Sequence, residues 1–120
     1  MSDLQARPTA AAGAASLADR RAYVRHPCHL GTSCHPVTSG QGQEWVGQAV
    51  NISQGGVGLV LNRRFEKGTL LSVEVTGSNG QPGRSMLARV AHVCQQSDGS
   101  WMIGCAFANK LSEDDVNAIL

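Results

Sequence analysis

The sequence predicts a small all-β domain, an antiparallel barrel or sandwich followed by one carboxyl-terminal helix. Three observations predict it. Beyond about residue 28, apolar side chains alternate with polar or small ones at a period of two, the pattern of strands with one buried face. Clusters of Gly, Ser, Asn, Asp and Pro interrupt that pattern at short, regular intervals. The apolar stock is also of the β kind. Hydrophobic residues make up 42% of the 120, but 14 of them are alanine, eight of these within the first 22 positions, and only five residues are aromatic. A core must therefore be assembled mainly from Val and Leu.

The elements follow in order. Residues 1 to 19 are Ala-rich, with Met1, Leu4 and Leu17 as their large apolar residues, and cannot bury enough surface to offset the entropy of ordering. They are expected to form a disordered arm, with one domain over residues 20 to 120. Cys28, Leu30, Thr32 and Cys34 alternate with His29, Gly31, Ser33 and His35 in a first strand. A turn at Thr38 to Gly42 leads to a second strand, Glu44 to Ile52, broken sharply by Ser53-Gln54-Gly55-Gly56. Val57, Leu59 and Leu61 mark a third strand. After a turn at Lys67-Gly68, Leu71, Val73 and Val75 mark a fourth. A loop over Gly77 to Gly83 precedes two more strands, Arg84 to Gln95 and Trp101 to Ala108, joined through Ser97-Asp98-Gly99. Ser112 then offers an N-cap, Glu113, Asp114 and Asp115 suit a first helical turn, and Val116, Ile119 and Leu120 follow at helical spacing.

Composition narrows the function. Ten basic and nine acidic residues give a net charge of +1, which excludes a strongly basic nucleic-acid binder; electrostatic recognition must come from local clusters. No apolar run approaches the roughly 18 residues of a membrane span. The amino terminus lacks the Leu- or Ile-rich stretch of a secretion signal, so a cytoplasmic protein with reduced cysteines is expected. His26, Cys28, His29, Cys34 and His35 lie close together but lack zinc spacing: in an extended strand Cys28 and Cys34 stand roughly 20 Å apart. Cys28 and Cys34 fall with Leu30 on the inner face of that strand, so these two, with Cys94 and Cys105, read as core thiols, and no metal site is expected. Neither an activated nucleophile nor a motif of paired carboxylates is found, so the chain does not read as an enzyme.

Two clusters could carry recognition. Arg20-Arg21-Ala22-Tyr23-Val24-Arg25 places three guanidinium groups in six residues, and arginine forks pair with phosphate oxygens or with the O6/N7 edge of guanine. Alone, the cluster reads first as a solvated basic entry to the first strand. Asn51-Ile52-Ser53-Gln54-Gly55-Gly56 ends a strand with two polar side chains on one side and glycines that allow a tight turn and close approach of a ligand. The alternative there is a Ser- or Asx-capped turn.

Together, Arg21-x-x-x-Arg25 and, about 25 residues later, Asn51-x-Ser53-x-x-Gly56 resemble the PilZ domain family pattern RxxxR followed by [D/N]xSxxG. Gly55-Gly56-Val57-Gly58-Leu59, Arg89-Val90-Ala91-His92-Val93 and Ile103-Gly104-Cys105-Ala106-Phe107 extend the resemblance over residues 20 to 120. It implies a six-stranded antiparallel β-barrel with a carboxyl-terminal helix that binds cyclic di-GMP on its outer face. It further implies that Arg21 and Arg25 hold phosphates and guanine edges. Asn51 and Ser53 would hydrogen-bond the ligand from the barrel, with Gly55 and Gly56 shaping the turn. Arg20, directly before the motif, accompanies a stacked ligand dimer in such proteins, so two ligands per chain are expected. Asn51 is the neutral choice where many relatives carry Asp, which implies weaker binding. The expected role is a receptor or adaptor that signals to an effector protein when ligand orders the Arg segment. It would need no cofactor beyond the ligand, no DNA or RNA and no membrane insertion. Two alternatives stand beside it: a barrel used for protein interaction without ligand, and a small-barrel nucleic-acid binder.

Overall fold

A computed structural model describes residues 23–39, 43–77, 80 and 83–120. The expected arm, and with it Arg20 and Arg21, lies outside the described residues. Six strands form: β1 His26–Pro36, β2 Trp45–Ile52, β3 Gly56–Leu61, β4 Leu70–Val75, β5 Arg84–Gln95 and β6 Trp101–Phe107. A 3-10 turn, Val37–Ser39, follows β1, and helix α1, Glu113–Ile119, follows β6. Every strand pairing is antiparallel, and the sheet closes on itself in the order β1-β2-β3-β6-β5-β4. Of the two β architectures open to the sequence, the molecule adopts the barrel.

Period-two patterning sends Leu30, Thr32 and Cys34 of β1 inward, where they meet Ala49 and Ile52 of β2, Leu59 of β3, Val73 and Val75 of β4, Val90 of β5 and Ile103 of β6. Filling a lumen this narrow with branched, medium-sized side chains explains the shortage of aromatics. The turns at Lys67-Gly68 and Ser97-Asp98-Gly99 fall where the sequence placed them. Gly68 (φ 88°) and Gly99 (φ 90°) take left-handed backbone that other residues resist, and Asp98 Oδ1 accepts from Ser100 N at 2.9 Å across the β5–β6 hairpin.

Three irregularities bend the strands: between Pro27 and Leu30, between Ala49 and Asn51, and between Val90 and His92. The last one corrects a sequence expectation. Cys34 and Cys105 are buried as expected and Cys28, inside the β1 irregularity, is only half-buried, but Cys94 is exposed. An extra residue at the bulge inverts the inside-outside phase, so that beyond it Val93, not Cys94, packs against the core. Among the described residues, no helix is long and apolar enough to cross a membrane.

The helix begins as the sequence dictates. Ser112 Oγ accepts from Asp115 N at 3.0 Å, and Asp115 Oδ2 accepts from Ser112 N at 3.2 Å, a reciprocal capping box. Leu111, Val116 and Ile119 are buried with the barrel core. Arg84 of β5 pairs with Asp115 and ties the cap to the barrel. The Arg84 hydrogen bond, followed by the Ser112 bonds, lowers the Asp115 carboxyl below its ordinary value of 3.8. A carboxyl more acidic folded than unfolded stabilises the fold above that value, and the gain fades as pH falls through the lower folded one. Ser112→Ala should therefore cost about 1 kcal/mol in urea unfolding. Asp115→Asn should flatten the acid side of the stability profile, while an acid limb as steep as that of the wild type would show that the carboxylate contributes nothing.

Candidate functional site

The turn between β2 and β3 is built by one hydroxyl. Ser53 Oγ accepts from Gly55 N and Gly56 N, both at 3.2 Å, while Ser53 N donates to the Gly56 carbonyl at 2.9 Å. Burial of Ser53 makes these bonds count, because an unpaired hydroxyl there would carry a desolvation cost. The turn is also fastened from outside. Leu111 N donates to Gln54 O at 2.8 Å, Gln54 Nε2 returns to Leu111 O at 3.1 Å, and Phe107 N donates to Gly55 O at 2.8 Å.

The glycines of this turn are explained by close approach. A Cβ on Gly56 would lie 2.2 Å from the Cys105 carbonyl oxygen, so the tight β3–β6 contact requires its absence. A Cβ on Gly55 would lie 2.9 Å from the Tyr23 ring, which rests against that backbone. Lys110 places its ammonium 5.4 Å from the centroid of the same ring, a cation–π contact. The segment before β1 and the segment before α1 thus meet over the turn.

Arg25 completes the junction: its Nη1 donates to Asn51 Oδ1 at 2.8 Å across 26 residues of sequence. Beside this pair, a cavity of about 390 Å³ opens on the outer wall, within the usual range for small-molecule sites. Tyr23, Arg25, Ser53, Gly55 and Gly56 form one side, and Ala91, His92, Gly104, Cys105 and Ala106 of β5 and β6 form the other. The methyl groups of Ala91 and Ala106 and the bare backbone of Gly104 keep that wall low. Among the described residues no carboxylate lines the cup, and Arg25 stands at it, so the charge favours an anionic ligand.

Of the residues singled out by sequence, Arg25, Asn51, Ser53, Gly55 and Gly56 come together here. Asn51 and His92 flank two glycines in one cross-strand row, Asn51–Gly58–Gly104–His92, running through β2, β3, β6 and β5. Sequence reasoning gave no role to Tyr23, His92, Gly104 or Lys110. Outward strand positions occupied by glycine and alanine could have marked the wall; nothing local marks Lys110. Trp45 and Trp101 lie elsewhere. Trp45 meets Phe65 edge to face at 5.5 Å beneath Arg63, and Trp101 lies under Arg64, opposite Leu61 at the far end of β3 from Gly56. Among the described residues, no group of three or more His, Cys, Asp or Glu could hold a metal.

These features define a class: a small closed β-barrel whose cup lies on the outside of its wall, beside the segment that enters the first strand. The family model described as PilZ domain matches residues 19–120, and the chain belongs to that family. Solved structures show the same fold. The Bacillus subtilis inhibitor of motility (MotI/DgrA) is 20% identical with a TM-score of 0.62, covering 81% of this chain and 46% of that one. The PilZ domain with c-di-GMP of YcgR from Escherichia coli is 14% identical, with a TM-score of 0.61, covering 83% of this chain and 86% of that one. YcgR in complex with c-di-GMP, also from Escherichia coli, is 15% identical, with a TM-score of 0.64, covering 82% and 42%. This chain therefore spans less than half the length of the MotI/DgrA and longer YcgR chains. No curated protein matches it.

The cysteines differ in reactivity, and only Cys105 belongs to the cup. Burial pushes the Cys105 thiol up to about 12 and the Cys34 thiol up to about 11, the latter helped by the Glu44 charge. Both stay protonated at neutral pH, and thiols react as thiolates. Labelling at pH 8 should modify exposed Cys94 first and reach Cys34 and Cys105 only in denaturant. Rapid labelling of all four cysteines under native conditions would contradict the burial described.

Proposed function

We propose that the chain is a receptor for cyclic di-GMP and not an enzyme, with residues 20 to 120 as its working domain and residues 1 to 19 as an arm. The observation that carries the reading is the Arg25–Asn51 hydrogen bond, which joins the two motif halves beside a cup lined, among the described residues, by no carboxylate. A cyclic dinucleotide offers two phosphates and two guanines. Arg25, with Arg21 and Arg20 before it, supplies forks for both groups. Asn51 offers a guanine edge an amide, and the glycine- and alanine-lined wall admits a flat base. Ser53 holds the turn that presents them, alongside Gly55 and Gly56. The two YcgR structures, described with c-di-GMP and sharing this fold, support the reading.

Signalling would proceed by ordering of the Arg segment on the barrel. Contacts for that docking are at hand: Arg25 on Asn51, and Tyr23 between Gly55 and Lys110. Ordering costs about 1–2 kcal/mol per residue, so only a short segment can be held by them. The surface formed by segment and ligand would then be read by an effector protein in the cytoplasm.

Calorimetry tests the binding. Cyclic di-GMP should bind and GTP should not compete, with two equivalents taken up if Arg20 admits a stacked ligand pair. Arg21→Ala and Arg25→Ala should each cost about 2–5 kcal/mol. Asn51→Ala and Ser53→Ala should cost about 1–3 kcal/mol. No heat with the wild-type chain would end this reading and favour an interaction module without ligand. Hydrogen exchange tests the switch: ligand should protect residues 20 to 27 and leave residues 1 to 15 exposed, whereas equal protection in both states would exclude it.

A further inference from the structure

Gly58 has no place in the two motifs, yet it sits directly opposite Asn51 in the β2–β3 ladder. It faces the outer wall but is buried, because the Asn51 side chain covers it. A Cβ on Gly58 would lie 2.6 Å from Asn51 Nδ2 and 3.0 Å from both Cγ and Oδ1. All three atoms belong to the amide whose oxygen receives Arg25. The three nearest atoms are thus all side-chain atoms, in contrast to Gly56, where the nearest obstacle is the Cys105 carbonyl.

We infer that Gly58 is a positioning residue for the ligand site: the space left by its missing side chain seats the Asn51 amide and so aims Arg25 at the cup. The amide terminates a flexible side chain, so a methyl group at position 58 is accommodated by swinging it away. The barrel survives, and Arg25 loses its anchor. The bulge between Ala49 and Asn51 sets Asn51 against Gly58, which gives the pairing its register. The consequence for affinity rests on the cyclic di-GMP reading; the placement of Asn51 and Arg25 does not.

The test is a double-mutant cycle with Gly58→Ala, Asn51→Ala and the combined variant. Gly58→Ala should weaken cyclic di-GMP binding about ten-fold, the scale of one hydrogen bond to a charged group. In the Asn51→Ala background the same change should alter affinity less than two-fold. Equal affinity of Gly58→Ala and wild type, or fully additive losses, would overturn the inference. NMR of the Asn51 side-chain amide and the Arg25 guanidinium supplies a readout that needs no ligand. Both signals should shift in Gly58→Ala, and unshifted signals would overturn the placement even if the wild type binds nothing. Should Gly58→Ala unfold the chain, adding Asn51→Ala should restore folding; failure to restore it would assign the glycine to the backbone alone and reject the inference.

Discussion

Closure of six short strands around a lumen filled mainly by Val, Leu and Ile is the constraint from which the rest of the molecule follows. A ring so small cannot be made from regular strands, so the chain bends where the ladder takes in an extra residue. Those bends serve the outer wall as well as the core. The one in β1 lies just beyond Arg25, the one in β2 sets the position of Asn51, and the one in β5 turns Ala91 and His92 out towards the cup. The geometry of the site is therefore a by-product of curvature. Its side chains are aimed by backbone irregularities that the barrel needs for closure.

Much of this was legible in the sequence because the signals are local. Alternation in β1 and β4 reports which face is wet, and Ser112 followed by acids reports a helix start whatever surrounds it. The strand order was not legible, since the β3–β6 and β1–β4 pairings join segments with no neighbouring trace in the chain. Cys94 shows how such reasoning fails. Period-two logic holds only to the next bulge, and the Val90–His92 irregularity leaves no unusual residue to announce it.

The site was legible by halves. Arg25 and the Asn51–Ser53 cluster stand out by residue type, whereas the cup wall is marked by small side chains on outward positions, a negative signal. Tyr23 and Lys110 meet only through tertiary packing. Ser53 joins the two readings the sequence left open. It lines the cup and is also the hydroxyl that closes the turn, so the bland and the functional interpretations describe one residue in two capacities.

Closure also limits how the molecule can be read by others. Among the described residues, each of the six strands is hydrogen-bonded to a neighbour on both sides, and pairing is one-sided along stretches such as the start of β1 and the end of β5, so no strand offers a free edge along its whole length. Most of what the barrel wall presents to its surroundings is therefore side chain and not main-chain ladder. The vocabulary of that contact is thus free to drift by surface substitution while the ladder beneath stays fixed, so that one scaffold can acquire new listeners without refolding.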